Sequence, residues 1–199
     1  SWQKALGGEA AHGMLALSPR AVERLESHQP SWPIPKAFRI ADKKKLTVGI
    51  FEGNTINTPS MLCVEDAIDS LLWVESIGGL GKLFERSNAS LEHISNWIEK
   101  TPWLEFMSYK KETRSNTSIT FQITEDWFTE LDDSQQREVM KKITSLLAKE
   151  NIAQDIIGYP KAPPSFRVWG GGTVEPSDVR TLLPWIEWAY EEVKLQYSK

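Results

Sequence analysis

The chain has one cysteine, Cys63, among its 199 residues, so no disulfide can form within it. That scarcity of thiols fits a reducing compartment and leads us to expect a cytoplasmic protein. No apolar run approaches the roughly 20 residues of a membrane-crossing helix, and no positively charged leader precedes an apolar core. The three histidines, His12, His28 and His93, are scattered, with no HExxH or CxxC spacing, so no metal site is expected. Basic charge is not concentrated either. Net charge is −4, and the densest basic run is Lys43–Lys45, which reads as a solvated loop. Nucleic-acid binding needs a basic footprint that is missing here.

The apolar fraction of 40% and charged fraction of 25% are those of an ordinary soluble globular protein with one large or two small domains. Nine tryptophans are many for this length. Most fall in or beside periodic segments, so they read as large packing residues and not as stacking platforms.

The residues from Gly13 to Leu17 (GMLAL) read as a short buried strand. Ser18 then caps a helix with Pro19 at its first position. Residues 30–58 are irregular, with three prolines, an extended KAFRI and then GIFEGNTINT; so long an excursion is often functional. The next helix starts with Thr58 as cap and Pro59 in first place. Met61, Val64, Ile68, Leu71 and Leu72 form its apolar face, and Gly78-Gly79 ends it. Another helix covers about 80–100, with Leu80, Leu83, Phe84, Leu91, Ile94 and Ile98 as its stripe.

Beyond Thr101-Pro102 the pattern is strand, strand, helix, strand, strand, helix. The strands are WLEFM (103–107), SITFQI (118–123), IAQDII (152–157) and SFRVWG (165–170). The helices are Ser134–Glu150 and about Pro176–Gln196, where Pro184 predicts a kink or break. Residues 101–199 thus read as an α/β sandwich on a mainly antiparallel sheet. Residues 1–76 offer too little sheet for their helices and read as completing a domain that begins elsewhere.

A few residues invite a chemical reading. Lys4 lies between Trp2-Gln3 and a Gly-rich run; by composition alone it is a solvated lysine. Asn57-Thr58-Pro59 suits a helix start, whose free N–H groups also suit a phosphate. Arg167 stands among Phe166, Val168 and Trp169 and needs a partner, which a structural ion pair could supply. Lys161 reads as a loop lysine. Gly170–Gly172 lacks the Lys-Ser/Thr of a P-loop and reads as a strand exit where backbone approaches another element closely.

Four segments together carry a stronger signal: SWQKALGGEAAHGMLALSPRAVERLE, FEGNTINTPSMLCVEDAIDSLLW, TRSNTSITF and APPSFRVWGGGTVEPSDVRTLLPWIEWA. In this order they resemble the phosphoserine aminotransferase family, pyridoxal-phosphate enzymes of fold type I and class V. The resemblance covers essentially the whole chain and corresponds to the family's C-terminal portion.

It implies an α/β fold made of the end of the large cofactor-binding domain (1–76) and the small C-terminal domain (77–199). It implies transfer of an amino group between glutamate and 3-phosphohydroxypyruvate, giving O-phosphoserine and 2-oxoglutarate in serine biosynthesis. A related substrate of vitamin B6 synthesis stays open, as do an alanine-glyoxylate type of aminotransferase and a non-catalytic interaction fragment. The implied cofactor is pyridoxal 5′-phosphate, held through its aldehyde by Lys4, which would also move the substrate Cα proton. Gln3 is implied at the cofactor phosphate. Asn57 and Thr58 are implied at the phosphate of the other subunit in a homodimer. Arg167 is implied as the grip on the substrate α-carboxylate. Where relatives have a His-Arg pair for the substrate phosphate, this chain has Pro160-Lys161. The missing upstream contacts lead us to expect that the 199 residues alone are inactive.

Overall fold

The computed structural model describes residues 2–10, 12 and 14–197. They form two compact units, Ser1–Leu72 and Trp73–Lys199.

The first unit is poor in regular structure. Helix α1, Pro19–Ser27, starts where the sequence requires: Ser18 Oγ accepts from the Ala21 N–H at 3.2 Å, and Pro19 needs no N–H partner in the first turn. The Glu26 carboxylate accepts from the Leu46 N–H at 3.4 Å, tying α1 to a hairpin. That hairpin pairs β1 (Ala41–Asp42) antiparallel with β2 (Lys45–Leu46). Its turn is Lys43-Lys44, both at positive φ, 46° and 62°. Left-handed backbone at both central positions matches the twist of paired strands. The lysine run is therefore a hairpin tip and not an open loop. KAFRI is not wholly extended, because Lys36–Phe38 winds into a 3-10 turn.

The strand expected over Gly13–Leu17 does not form in its described part, and Gly13 itself lies outside the described residues. Met14 and Leu15 are exposed, and residues 14–17 join no strand. A lone extended segment without a ladder partner leaves its N–H and C=O groups to water, so it stays irregular.

Helix α2, Met61–Ser76, begins later than expected. Ser60 does the capping that the sequence assigns to Thr58. Its carbonyl accepts from Val64 N–H at 3.2 Å and its hydroxyl from Cys63 N–H at 3.5 Å. The expected apolar face is also wrong. Cys63, Ala67 and Val74 are the buried positions, while Met61, Ile68, Leu71 and Leu72 are exposed. The helix is apolar on more than one side, so periodicity alone could not choose the side that packs.

The second unit carries the large core. Strands β3 (Leu104–Phe106), β4 (Ser118–Ile123) and β5 (Phe166–Trp169) form an antiparallel sheet in the order β3-β4-β5, with Phe121 opposite both Phe106 and Phe166. Alternation along β4 buries Ile119, Phe121 and Ile123. Three long helices contribute to the same core: α3 (Gly79–Ile98), α5 (Asp133–Lys149) and α6 (Pro176–Lys194), with the short α4 (Asp126–Thr129) ahead of α5. The α/β sandwich with an antiparallel sheet stands as expected.

Helix α5 shows why. Asp132 and Gln135 form a capping box, each side chain accepting the other's backbone N–H, at 2.9 and 3.1 Å. Val139, Met140, Ile143 and Leu147 recur at helical spacing and are fully buried. Each such burial contributes roughly 1.5–3 kcal/mol. Helix α3 presents Leu83, Ser87, Ser90, Ile94 and Ile98 inward, leaving the predicted Leu80 and Phe84 exposed.

One expected strand is corrected, and of the kink or break expected at Pro184 the break is absent. IAQDII makes only one bridge, Ile157 to Phe166, flanked by Arg167 N–H to Ile156 C=O and Gly158 N–H to Ser165 C=O, both at 2.8 Å. Helix α6 continues through Pro184 without a break.

The triple glycine leaves β5 as the sequence suggested. A Cβ on Gly170 would stand 3.0 Å from both Ser90 Cβ and Ile119 Cδ1; one on Gly172 would stand 2.5 Å from Leu83 Cγ. Arg86 locks this exit by donating from Nε to the Gly172 carbonyl at 2.7 Å and from Nη2 to Glu175 at 2.5 Å.

Candidate functional site

The residues singled out from the sequence fall into two groups. Gln3, Lys4, Asn57 and Thr58 lie in the first unit, and Lys161 and Arg167 in the second.

In the first unit, residues 2–10 form a turn followed by the glycine pair. Lys4 is exposed and Gln3 half-buried. Gly7 adopts φ +72°, a conformation that needs no Cβ, and the space on that side is open. The run lies against α2, where Ser70 Oγ donates to the Leu6 carbonyl at 3.4 Å. A pocket of about 400 Å³ opens here, lined by Gln3, Gly7, Gly8, Glu9, Ala10 and Asp66.

His12 then joins the two sequence motifs. Its Nε2 accepts the Ser60 N–H at 3.0 Å, which brings the lysine segment to the start of α2. Its ring meets Trp2 edge-on, with centroids 5.5 Å apart. Trp2 Nε1 is buried without a hydrogen-bond partner among the described residues. Asn57 and Thr58 are exposed next to Ser60. Because Ser60 caps the helix, Thr58 keeps its hydroxyl for other use. In the sequence His12 is only one of three scattered histidines, with nothing to mark this contact. The signal that could have found it is a helix-start N–H in need of an acceptor.

In the second unit, Arg167 projects from β5 opposite Thr120. Its side chain is 14% exposed and pairs through Nη2 with Asp155 Oδ2 at 2.9 Å. The guanidinium carbon lies 4.7 Å from the centroid of the Tyr159 ring. The Nε is buried with no partner among the described residues. A pocket of about 490 Å³ adjoins it, with Arg137, Lys141, Asp155, Tyr159 and Ser165 among its walls. Lys161 is exposed and is not among the residues lining that pocket. The ion pair considered for Arg167 therefore exists, and the sequence gave no hint that Asp155 makes it.

Among the described residues no cluster of three or more His, Cys, Asp or Glu could hold a metal ion. No helix of the described residues is long and apolar enough to cross a membrane.

Comparison with known proteins points one way. A phosphoserine aminotransferase of Methanosarcina barkeri is 50% identical over 194 residues, 98% of this chain and 50% of its own. One of Methanosarcina mazei is 48% identical over the same share. The chain is similar to phosphoserine aminotransferases. It spans about half the length of the curated relatives it matches. No family model matches.

Among solved structures, the phosphoserine aminotransferase of Bacillus circulans subsp. alkalophilus superposes with a TM-score of 0.59 at 17% identity, over 72% of this chain and 36% of that one. A phosphoserine aminotransferase studied for radiation damage of its Schiff base gives 0.61 at 13% identity, over 86% of this chain and 42% of that one. The chain thus shares its α/β fold with part of these enzymes.

Proposed function

We propose that this chain is the C-terminal portion of a pyridoxal-phosphate-dependent phosphoserine aminotransferase. Residues 1–76 would be the end of the large domain and 77–199 the small one. The observation that carries the reading is identity near 50% across 98% of the chain. The parent would be a cytoplasmic homodimer that interconverts 3-phosphohydroxypyruvate and glutamate with O-phosphoserine and 2-oxoglutarate.

The residues present fit the cofactor. Lys4 brings an exposed primary amine for an aldehyde, beside a glycine run whose backbone is open to close approach. Gln3 would offer polar groups to the cofactor phosphate of its own subunit, and the exposed Asn57 and Thr58 at the start of α2 to that of the other subunit, which the positive end of the helix favours. When bound, pyridoxal phosphate supplies the electron sink for a carbanion at the substrate Cα. Lys4 Nζ takes the Cα proton from glutamate and, in the other half of the cycle, gives a proton to the Cα of the new amino acid. Arg167 grips the α-carboxylate common to both substrates, and its half-buried position strengthens that charge-assisted pairing. Lys161 would contribute a point charge toward the substrate phosphate.

The test is amino transfer by the complete protein with Lys4 replaced by alanine. The expected loss is at least ~10²-fold in kcat, the scale of a positioned general base. Retention of activity within tenfold would overturn the role of Lys4. Indifference of the intact enzyme to the 3-phosphate would overturn the substrate.

A further inference from the structure

Arg167 is held unequally by its surroundings. The cation is fixed: its main-chain N–H is tied to Ile156, its stem lies in the sheet and its guanidinium lies against Tyr159. The anion is not. Asp155 has a side chain 75% exposed, on a segment joined to the sheet by one bridge. It offers a single oxygen to a single guanidinium nitrogen, and the buried Nε beside it stays unserved. A carboxylate engages guanidinium best with two parallel bonds. Asp155 therefore neutralises Arg167 without using its full donor capacity, and it does so at the rim of an open pocket.

We propose that Asp155 is a displaceable internal counter-ion of Arg167, which an incoming substrate carboxylate exchanges for itself. The inference rests on the reading of Arg167 as the carboxylate grip. In the empty enzyme, Asp155 spares the half-buried guanidinium an unpaired state. During binding it is a competitor. It lowers the affinity of every carboxylate that uses Arg167 by the same factor. Asp155 is thus a positioning residue that sets KM and does not touch the reacting atoms.

The test uses the complete holoenzyme with D155N, which keeps shape and removes charge. The KM for glutamate and for the phosphorylated 2-oxo acid should both fall by about two- to fivefold, the range set by a partly exposed ion pair. The change should appear in KM rather than kcat. Glutarate, a dicarboxylate without an amino or keto group, should bind tighter by the same factor, both as a competitive inhibitor and by calorimetry. D155E should return all three to the starting values. Unchanged or raised KM values in D155N, or a fall for one substrate only, would overturn the proposal. R167A separates the two layers. If it leaves both KM values and glutarate binding unchanged, the carboxylate grip itself is misassigned. If R167A weakens all three while D155N moves none, the grip stands and the counter-ion role fails.

Discussion

Removing one oxygen atom from Tyr190 tests how the second unit is held together. Tyr190 is fully buried in α6 and its ring stacks on Trp103 with centroids 3.6 Å apart. Its hydroxyl donates to the Glu125 carboxylate and accepts from Trp127 Nε1 at 3.1 Å. Glu125 also accepts from Trp127 Nε1 at 2.8 Å and pairs with Lys194 at 2.7 Å. Tyr190→Phe keeps the ring, the stack and the volume. Trp127 keeps Glu125, so no donor is orphaned. The loss is therefore the hydrogen bond to a charged group, about 1.5–3 kcal/mol, together with the longer branch of the shared Trp127 N–H.

The pH dependence sharpens this prediction. Burial pushes the Glu125 carboxyl up, but bonds from Lys194, Tyr190 and Trp127 outweigh it and hold the group below its ordinary range. Stability from a lowered carboxyl is present above its unfolded value and lost as pH falls through the folded one. Burial, reinforced by Glu125, holds the Tyr190 hydroxyl above its ordinary range, so its contribution is lost only in strong alkali. The gap between wild type and Tyr190→Phe should thus be widest near neutrality and narrow in acid, once Glu125 is protonated in both. Urea unfolding followed by tryptophan fluorescence measures it. A gap below ~0.5 kcal/mol at neutral pH, or one that does not narrow in acid, refutes the hydrogen-bond account.

Two other perturbations probe the exit from β5. Gly172→Ala places a methyl group against Leu83, 2.5 Å from its Cγ, and should destabilise by ~1–3 kcal/mol in the same urea assay; a neutral result would mean that α3 yields freely. Arg86→Ala removes the bond that holds the Glu175 carboxyl below its ordinary range. An NMR titration should show that carboxyl moving up toward the value of a free glutamate, and a static titration would show that the pair is idle in solution.

Local chemistry made much of this fold readable. Ser18-Pro19 and the strict alternation of SITFQI each carry their own signal within a few residues. Where the partner is distant, the reading failed. GMLAL needed a neighbouring strand, IAQDII needed more than one bridge, and α2 needed to know which of its apolar sides would be covered. Pro184 broke nothing because α6 packs on both sides of it, with Leu183 and Ile186 in the core. At the candidate site, Lys4, Gln3, Asn57, Thr58 and Arg167 came from the sequence through a family resemblance. The Asp155 partner, twelve residues from Arg167, and the His12 bridge to Ser60 came only from three dimensions.

Ser90 and Gly170 pack so closely that a methyl group on Gly170 would stand 3.0 Å from Ser90 Cβ, and this makes them a linked pair in mutational terms. Gly170 has no side-chain atom to give up, and Ser90 has only its hydroxyl beyond Cβ. A gain of volume at Ser90 cannot be balanced at Gly170, and a methyl group on Gly170 would need Ser90 to give up its Cβ and would still meet Ile119 Cδ1 at 3.0 Å. Drift at this contact is therefore easier toward Ala or Gly at Ser90 than toward any side chain at Gly170, where Ser90 or Ile119 would have to give way.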